Sequence, residues 1–337
     1  MDILVTGGLG FIGSHTAVCL QRSGFRPILV DNLSNSSLSV LEGIEKITGV
    51  TPVFLQGDVN DAAFLNGVFS QFQIRAVIHF AAFKAVGESV EKPLAYYQNN
   101  VGSLITLLHC MEKYSVRDLV FSSSCTVYGE PDTVPVTEIE RIKPASSPYG
   151  ATKQMCETIL SDVAWCRSQC LRYFNPVGAH PSAEIGELPR GIPNNLVPFI
   201  TQAAAGLRAE LTVFGNDYPT PDGTNIRDYI HIMDLAEAHL ASLNRLISQP
   251  TVDAVEYYNL GTGKGCSVLE VIASFEKVNQ TKVPYKIGPR RAGDVVQVWA
   301  DSSKAKQMLG WEAKRGLDEM MKDAWNWQLR LKNSADS

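Results

Sequence analysis

Three glycines spaced three apart, Gly7, Gly10 and Gly13, stand where a short apolar run ends and a helix-like pattern begins. Ile3, Leu4 and Val5 form the run, and Ile12, Thr16 and Leu20 mark an amphipathic segment after the turn. A pyrophosphate approaches a backbone only where side chains are absent, and the first turn of a helix offers it unpaired N–H groups and positive dipole. The arrangement predicts a dinucleotide site opening at residue 7. Glycines alone also mark ordinary tight turns. Here a second apolar run, Pro27 to Val30, ends in Asp31, 18 positions after Gly13. At that spacing a carboxylate meets the adenosine ribose hydroxyls and repels a 2′-phosphate, which predicts NAD and not NADP.

Bulk properties narrow the alternatives. The chain has 337 residues, 45% hydrophobic and 19% charged, as suits one large or two cooperating domains. The formal charge is -5 and no Lys/Arg tract occurs, which argues against a nucleic-acid groove or an anionic membrane surface. No apolar stretch reaches about 18 residues, and Asp2 follows Met1 directly, so neither a membrane span nor a secretory signal is expected. Seven scattered cysteines form no paired framework and suit a reducing cytoplasm. The histidines make no ligand cluster; no metal site is expected, and His79, at a strand end, reads as packed or hydrogen-bonded.

β runs alternate with helix-length segments: Thr51–Gly57, a helix over Phe64–Phe72, then Ala76–Ala82 and Arg117–Phe121. This order predicts right-handed βαβ units, and hence an α/β fold with a Rossmann-type, doubly wound parallel sheet and a smaller interleaved substrate domain. Ligands in such sheets sit beyond the carboxyl ends of the strands. The expected cofactor contacts are Gly7, Gly10, Phe11, Ile12 and Gly13 in the first turn, and Asp31, Asn32, Asn35 and Ser36 after the second strand. Asp58 and Val59 follow the third strand, facing adenine; Phe80, Ala81 and Lys84 follow the fourth, before a mobile-looking Gly87–Ser89, and Asn99 stands in the next helix. That helix, Pro93–Tyr114, carries Tyr97, Val101, Leu104, Leu108 and Met111 at helical spacing; with Met155, Ile159, Leu160 and Val163 it could supply a helix-on-helix dimer seam or simply cover the sheet. Past Pro193 the pattern is shorter and mixed, with Trp311 expected between the terminal helices and 332–337 frayed. The domain reading is 1–175 for NAD, with segments near 226–260 contributing, and 176–337 mainly for substrate.

The chemistry concentrates in two strings, Ser122-Ser-Ser124 at a strand end and Pro148-Tyr149-Gly-Ala-Thr-Lys153. Tyr149 and Lys153, four apart, share one face of a helix. A phenol has a reference pKa of about 10 and is a poor base at neutral pH. A nearby ammonium together with an oxidised nicotinamide favours the phenolate, and Ser124 completes a relay to a sugar alcohol. Arg227 and Arg291 are isolated, which suits a fork on a diphosphate, although each could equally pair with a local acid.

With these strings, the chain resembles the extended short-chain dehydrogenase/reductase family and, within it, the UDP-glucose (UDP-galactose) 4-epimerases. Thr6 to Gly13, Phe121 to Ser124, Tyr149 to Lys153, Arg172 to His180, Gly191 to Asn195 and Arg227 to His231 carry the likeness over essentially the whole length. The resemblance implies tightly held NAD, a cytoplasmic homodimer, and a UDP-sugar bound between two domains and inverted at carbon 4 through a 4-keto sugar. It assigns Asn175, Asn195, Arg227, Arg291 and Asp294, with the neighbouring Asn194 and Leu196, to the substrate. Lys84, Ser124 and Tyr173 then line the cofactor or hexose side, and Lys153 bonds the nicotinamide ribose. Many relatives carry tyrosine where this chain has Val298, so the hexose pocket is expected to admit UDP-N-acetylglucosamine and UDP-N-acetylgalactosamine as well. A dehydratase of the same fold would place Asp-Glu beside the strand-end hydroxyl, where Cys125 and Thr126 stand. A net sugar dehydrogenase or reductase would turn over bulk NADH, and a non-catalytic NAD-sensing or scaffold protein would have no use for Ser124, Tyr149 and Lys153.

Overall fold

The structure, a computed structural model, describes residues 1–189, 191, 193–249, 255–291 and 294–335. The chain begins β1 (Asp2–Thr6), α1 (Phe11–Arg22), β2 (Arg26–Asp31), α2 (Ser39–Thr48), β3 (Val53–Gln56), α3 (Ala62–Gln71) and β4 (Ile74–His79). It continues with α4 (Val86–Glu91), α5 (Pro93–Tyr96), a π turn (Tyr97–Val101), α6 (Gly102–Lys113), β5 (Asp118–Ser124), a 3₁₀ turn (Cys125–Tyr128), α7 (Pro148–Asp162) and β6 (Arg167–Tyr173). Shorter pieces follow: β7 (Asn175–Val177), α8 (Leu196–Ala204), β8 (Leu211–Phe214), β9 (Ile226–Arg227), β10 (Tyr229–His231) and α9 (Ile232–Ser248). The last are β11 (Val255–Leu260), β12 (Cys266–Ser267), α10 (Val268–Asn279), β13 (Tyr285–Gly288), β14 (Gln297–Val298), α11 (Ser303–Leu309) and α12 (Leu317–Ala335).

Seven parallel strands form one sheet in the order β11-β6-β5-β4-β1-β2-β3. The chain reverses direction across the sheet between β1 and β4, and that switch point opens the crevice into which ligands of such sheets fit. Alternate residues of each strand serve opposite layers: Ile3, Val5 and Val120 join α1 and α9, while Leu4, Leu119 and Phe121 join α3, α6 and α7. A third cluster lies away from the sheet, where Val177, Ile200, Val213, Phe275 and Met321 pack α8, α10 and α12 together.

Several expectations change in contact with the fold. Residues 13–20 of α1 are all buried, because α1 is wedged between the sheet and α9 and has no solvent face to make it amphipathic. Gly87–Ser89 belongs to a helical turn, fixed by Ser89 Oγ donating to the Val86 carbonyl at 2.6 Å. The long helix expected over 93–114 is interrupted by the π turn at Tyr97–Val101. Leu104, Leu108, Met111 and Leu160 face the sheet, so any dimer seam must use what remains outside, led by Leu94 at 81% and Met155 at 47% exposure. Trp311 packs in the α1/α9 layer, its indole donating to the Asp234 carbonyl at 2.9 Å, and does not sit between the terminal helices. α12 continues to Ala335, and residues 336–337 of the expected frayed tail lie outside the described residues, as does Ile192. Among the described residues no helix is long and apolar enough to cross a membrane.

Candidate active site

The first turn is shaped by contact as much as by conformation. Gly7 adopts φ +65°, and a methyl there would stand 2.9 Å from the Ala81 nitrogen, so β1 and the segment after β4 meet at the switch point without a side chain between them. A methyl on Gly13 would lie 2.3 Å from the Gly7 carbonyl oxygen, which is why α1 can start so close under the turn. α1 has no capping side chain and no acid in its first turn, leaving its opening N–H groups to an anion. Phe11 and Ile12 open the helix, Phe11 edge-on to His15 at 5.3 Å. Phe80 follows β4, its N–H bonded to the Thr6 carbonyl at 3.0 Å.

At the end of β2, Asp31 is buried and holds the loop around it. One carboxylate oxygen accepts from the Leu9 N–H at 3.1 Å, the other from the Leu33 N–H at 2.9 Å and Ser36 Oγ at 2.7 Å. Asn32 donates to Asp58 at 3.1 Å, while Asn35 is exposed. Burial works against a charged Asp58, but hydrogen bonds from Asn60 and Asn32 outweigh it and hold the carboxyl below the usual range. Asn99 accepts from Asn60 Nδ2 at 3.4 Å, which brings the π turn to the same edge. Val59 is sunk in the layer beneath the sheet, so its side chain offers adenine little surface. His79 is bonded to Thr6 Oγ1 at 2.7 Å and stacked on Phe121, a packing role as read from the sequence.

Ser147 and Pro148 fix where α7 starts: Ser147 Oγ accepts from the Gly150 N–H at 3.2 Å, and proline at the first position loses no helical hydrogen bond. Tyr149 and Lys153 consequently face β5, where Ser124 ends the strand. Ser124 lies close enough to the Tyr149 phenol to favour its ionised form, and its Oγ accepts from the Thr126 N–H at 3.2 Å and Thr126 Oγ1 at 3.0 Å. Burial pushes the Tyr149 phenol up to about 12, partly offset by Ser124 and reinforced by Cys125. Lys153 is buried, donates to the Ser122 carbonyl at 2.6 Å and stands 5.9 Å from the Tyr149 ring centre. Burial brings its ammonium down to about 8, against the pull of Cys156, Glu157 and Cys170. The lysine alone therefore does not lower the phenol: desolvation wins until a further positive charge arrives. Tyr173, buried on β6, donates to Ser122 Oγ.

On the far side, β14 lies between β9 and the apolar cluster of Val127, Tyr128, Phe174 and Ala300. Val298, 8% exposed, belongs to that cluster and pairs with Arg227 in register. Arg227 Nη2 and Arg291 Nη2 approach the same Asp294 oxygen, at 3.8 and 2.9 Å. Asn175 starts β7, its N–H bonded to the Asp228 carbonyl at 3.0 Å. Lys84 Nζ and Asn195 Nδ2 both donate to Glu187 Oε1, at 3.0 and 2.6 Å, while Asn194 is exposed and Leu196 begins α8. The sequence reading missed Glu187, and also Asn100, whose buried amide clamps the Phe83 backbone and Thr152 Oγ1. It gave Glu157 no role, although its spacing of four from Lys153 on one helix face was a usable signal.

A doubly wound parallel sheet with a glycine turn at its switch point, and serine, tyrosine and lysine gathered on β5 and α7, define an extended short-chain dehydrogenase/reductase. A family model described as GDP-mannose 4,6 dehydratase matches residues 4–324. A UDP-glucose 4-epimerase of Bacillus subtilis (strain 168) is 53% identical over 332 residues, 97% of either chain. A crystal structure of UDP-glucose 4-epimerase from Stenotrophomonas maltophila, with bound NAD and formylated UDP-arabinopyranose, is 48% identical and superposes with a TM-score of 0.96 over 99% of either chain. The Bifidobacterium longum enzyme in complex with NAD+ and UDP is 47% identical, with a TM-score of 0.94 over 99% of either chain. The chain belongs to the UDP-glucose 4-epimerase family.

Proposed function

We propose that this chain is an NAD-dependent UDP-hexose 4-epimerase, interconverting UDP-glucose and UDP-galactose through a 4-keto sugar. The observation that carries the reading is the buried Tyr149 phenol under the influence of Ser124, with the Lys153 ammonium over its ring. The chain's own residues fit NAD: the crowded turn at Gly7 and Gly13 leaves backbone N–H groups open, and the buried Asp31 waits at the end of β2. When bound, NAD supplies the reversible oxidation of the carbon-4 alcohol. Tyr149 Oη takes the proton from the sugar 4-hydroxyl and later returns it. Ser124 Oγ aligns that hydroxyl, and Lys153 Nζ keeps positive charge beside the phenol. Arg227, Arg291 and Asn175 hold the diphosphate, Asp294, Asn195 and Leu196 the nucleoside, and Lys84 and Tyr173 border the hexose and cofactor side. Elimination of water would need a carboxylate beside Ser124, and Cys125 and Thr126 occupy those positions.

Residues 1–175, with segments near 226–260, form the NAD-binding domain in this reading, and 176–337 mainly the substrate domain. The outward Leu94 and Met155 side chains support a homodimer through the α5–α7 side, and seven unpaired thiols suit a cytoplasmic location. UDP-N-acetylhexosamines are proposed as further substrates because Val298 gives the wall less bulk than a phenol ring would. Incubating the purified protein with UDP-galactose and, separately, UDP-N-acetylgalactosamine, without added NAD, tests both parts. Formation of the 4-epimers is expected. No UDP-glucose from UDP-galactose refutes the activity, and no acetamido product refutes the wider pocket.

A further inference from the structure

Glu157 lies one turn beyond Lys153 on α7 and is only 6% exposed, yet it makes three hydrogen bonds to the sheet. Ser123 Oγ donates to Oε1 at 2.5 Å, and Arg172 donates through Nε to Oε1 at 2.9 Å and through Nη2 to Oε2 at 2.6 Å. Ser123 is the residue before Ser124 on β5, and Arg172 the residue before Tyr173 on β6. One carboxylate thus ties the helix carrying Tyr149 and Lys153 to the two strands whose next residues are Ser124 and Tyr173. From Arg172 the chain of contacts runs on. Its guanidinium lies between the rings of Tyr128 and Tyr257, at 4.9 and 4.5 Å, and Nη1 donates to Tyr128 Oη at 3.0 Å. Tyr128 donates to Asn259 Oδ1 at 2.7 Å, and Asn259 Nδ2 donates to the Val136 carbonyl at 2.9 Å. Val136 in turn exchanges backbone bonds with Trp299 and Asp301, just past Val298.

A buried ion pair adds little net stability, since desolvation offsets most of the attraction, but a fully bonded one fixes geometry. We propose that Glu157 is a positioning residue for the reaction: through Ser123 and Arg172 it sets the placement of Tyr149 and Lys153 against Ser124. The inference rests on the reading of Tyr149 and Lys153 as the reacting pair. Its charge acts on Lys153 as well. The groups facing that ammonium are His79 on β4, Phe121 and the Ser122 carbonyl on β5, Tyr149, Cys156 and Glu157 on α7, and Cys170 on β6. Glu157 is the one carboxylate in this set, among the described residues.

The test uses the full-length protein with its NAD, measuring epimerisation of UDP-galactose from about pH 6 to 10. Glu157→Gln keeps the shape but removes the charge and leaves Arg172 unpaired. The expected result is a fall in kcat of about 10²-fold, as for a misplacement near 1 Å, with KM within about twofold and the alkaline limb moved to lower pH. Glu157→Asp, which keeps the charge, should restore the limb but not the full kcat. A folded Glu157→Gln protein with parental kcat and an unmoved limb overturns the inference. If Glu157→Gln does not fold, Tyr128→Phe, which deletes one hydroxyl of the network, carries the test: lowered kcat at unchanged KM supports it, and parental kcat overturns it. Tyr149→Phe runs alongside. If that variant is inactive while the Glu157 and Tyr128 variants are parental, only this inference fails. If it is fully active, the reading of the pair fails and takes this inference with it.

Discussion

Alanine at Gly13 and at Gly10 separates what the first turn does for the fold from what it does for a ligand. At Gly13 a methyl would stand 2.3 Å from the Gly7 oxygen and 3.0 Å from Gly8 Cα. These are backbone atoms held in place by β1 and by the Gly10 N–H bonding to the Gly7 oxygen at 3.0 Å. Since unstrained carbon contacts begin near about 3.5 Å, α1 would have to withdraw by roughly 1 Å. Residues 14–20 are buried on every side and leave it nowhere to go. Alanine regains about 1 kcal/mol of helix propensity, while overpacking against fixed backbone costs up to about 3 kcal/mol, so a net loss of up to about 2 kcal/mol is expected. At Gly10 the only close atom is the Gly7 oxygen at 3.2 Å, and the backbone, φ −69° and ψ 172°, suits alanine. Gly10→Ala should therefore stay within about 1 kcal/mol of the parent, the usual scale of a helix-cap change. Its methyl points into the approach to the helix N-terminus, so NAD should be lost from both variants but Tm mainly from Gly13→Ala. Thermal unfolding and the NAD released per chain on denaturation measure the two effects. A Gly13→Ala protein with parental Tm and full NAD, or a Gly10→Ala protein less stable than Gly13→Ala, would refute the reasoning.

Asp31→Asn leaves an amide where three donors converge on carboxylate oxygens; a loss of about 1–3 kcal/mol and weaker NAD retention are expected in the same two assays, and unchanged values would count against a role for Asp31 in either. His15, His79 and His239 are buried, and desolvation brings them down to about 3, 3 and 4. Between those values and the unfolded value near 6.5 the unfolded chain binds more protons, so stability falls as pH drops, by about 2 kcal/mol per imidazole at pH 5. A Tm that stays flat from pH 7.5 to 5 would contradict this. Val298→Tyr should suppress turnover of UDP-N-acetylgalactosamine by about tenfold or more relative to UDP-galactose; an unchanged ratio of kcat/KM values would remove Val298 as the gate.

The parallel sheet was legible in the sequence because each strand is a short apolar run bounded by helix-length segments, and the glycine turn because its function forbids side chains. What escaped were contacts that depend on distant residues meeting. Asn100 looks like any polar residue of an amphipathic helix until the π turn rotates it onto Phe83 and Thr152. Nothing local marks Glu187 as the meeting point of Lys84 and Asn195, which are separated from it by 103 and 8 positions. The burial of Tyr149 was equally invisible: four-residue spacing puts Lys153 on the same face, but says nothing of the desolvation that drives the phenol upward.

That upward shift bears on how one cleft can protonate a ketone from either side. On the proposed reading the nucleotide end is gripped, with Arg227 and Arg291 converging on Asp294 and Asn195 held by Glu187. On the same reading the wall opposite is Val298, backed by the buried apolar cluster of Val127, Tyr128, Phe174 and Ala300. Each hydrogen bond to a hexose hydroxyl is worth about 1 kcal/mol and must be broken for the sugar to turn, so a wall without donors lowers the barrier to turning while the grip prevents escape. A phenol with a high pKa rests protonated, so it must first be ionised before it can take the proton of the sugar hydroxyl, and it then holds the proton that it returns to the sugar oxygen whichever face is presented. Proton removal is the demanding half of the cycle, and the positive charges beside Tyr149 matter most there.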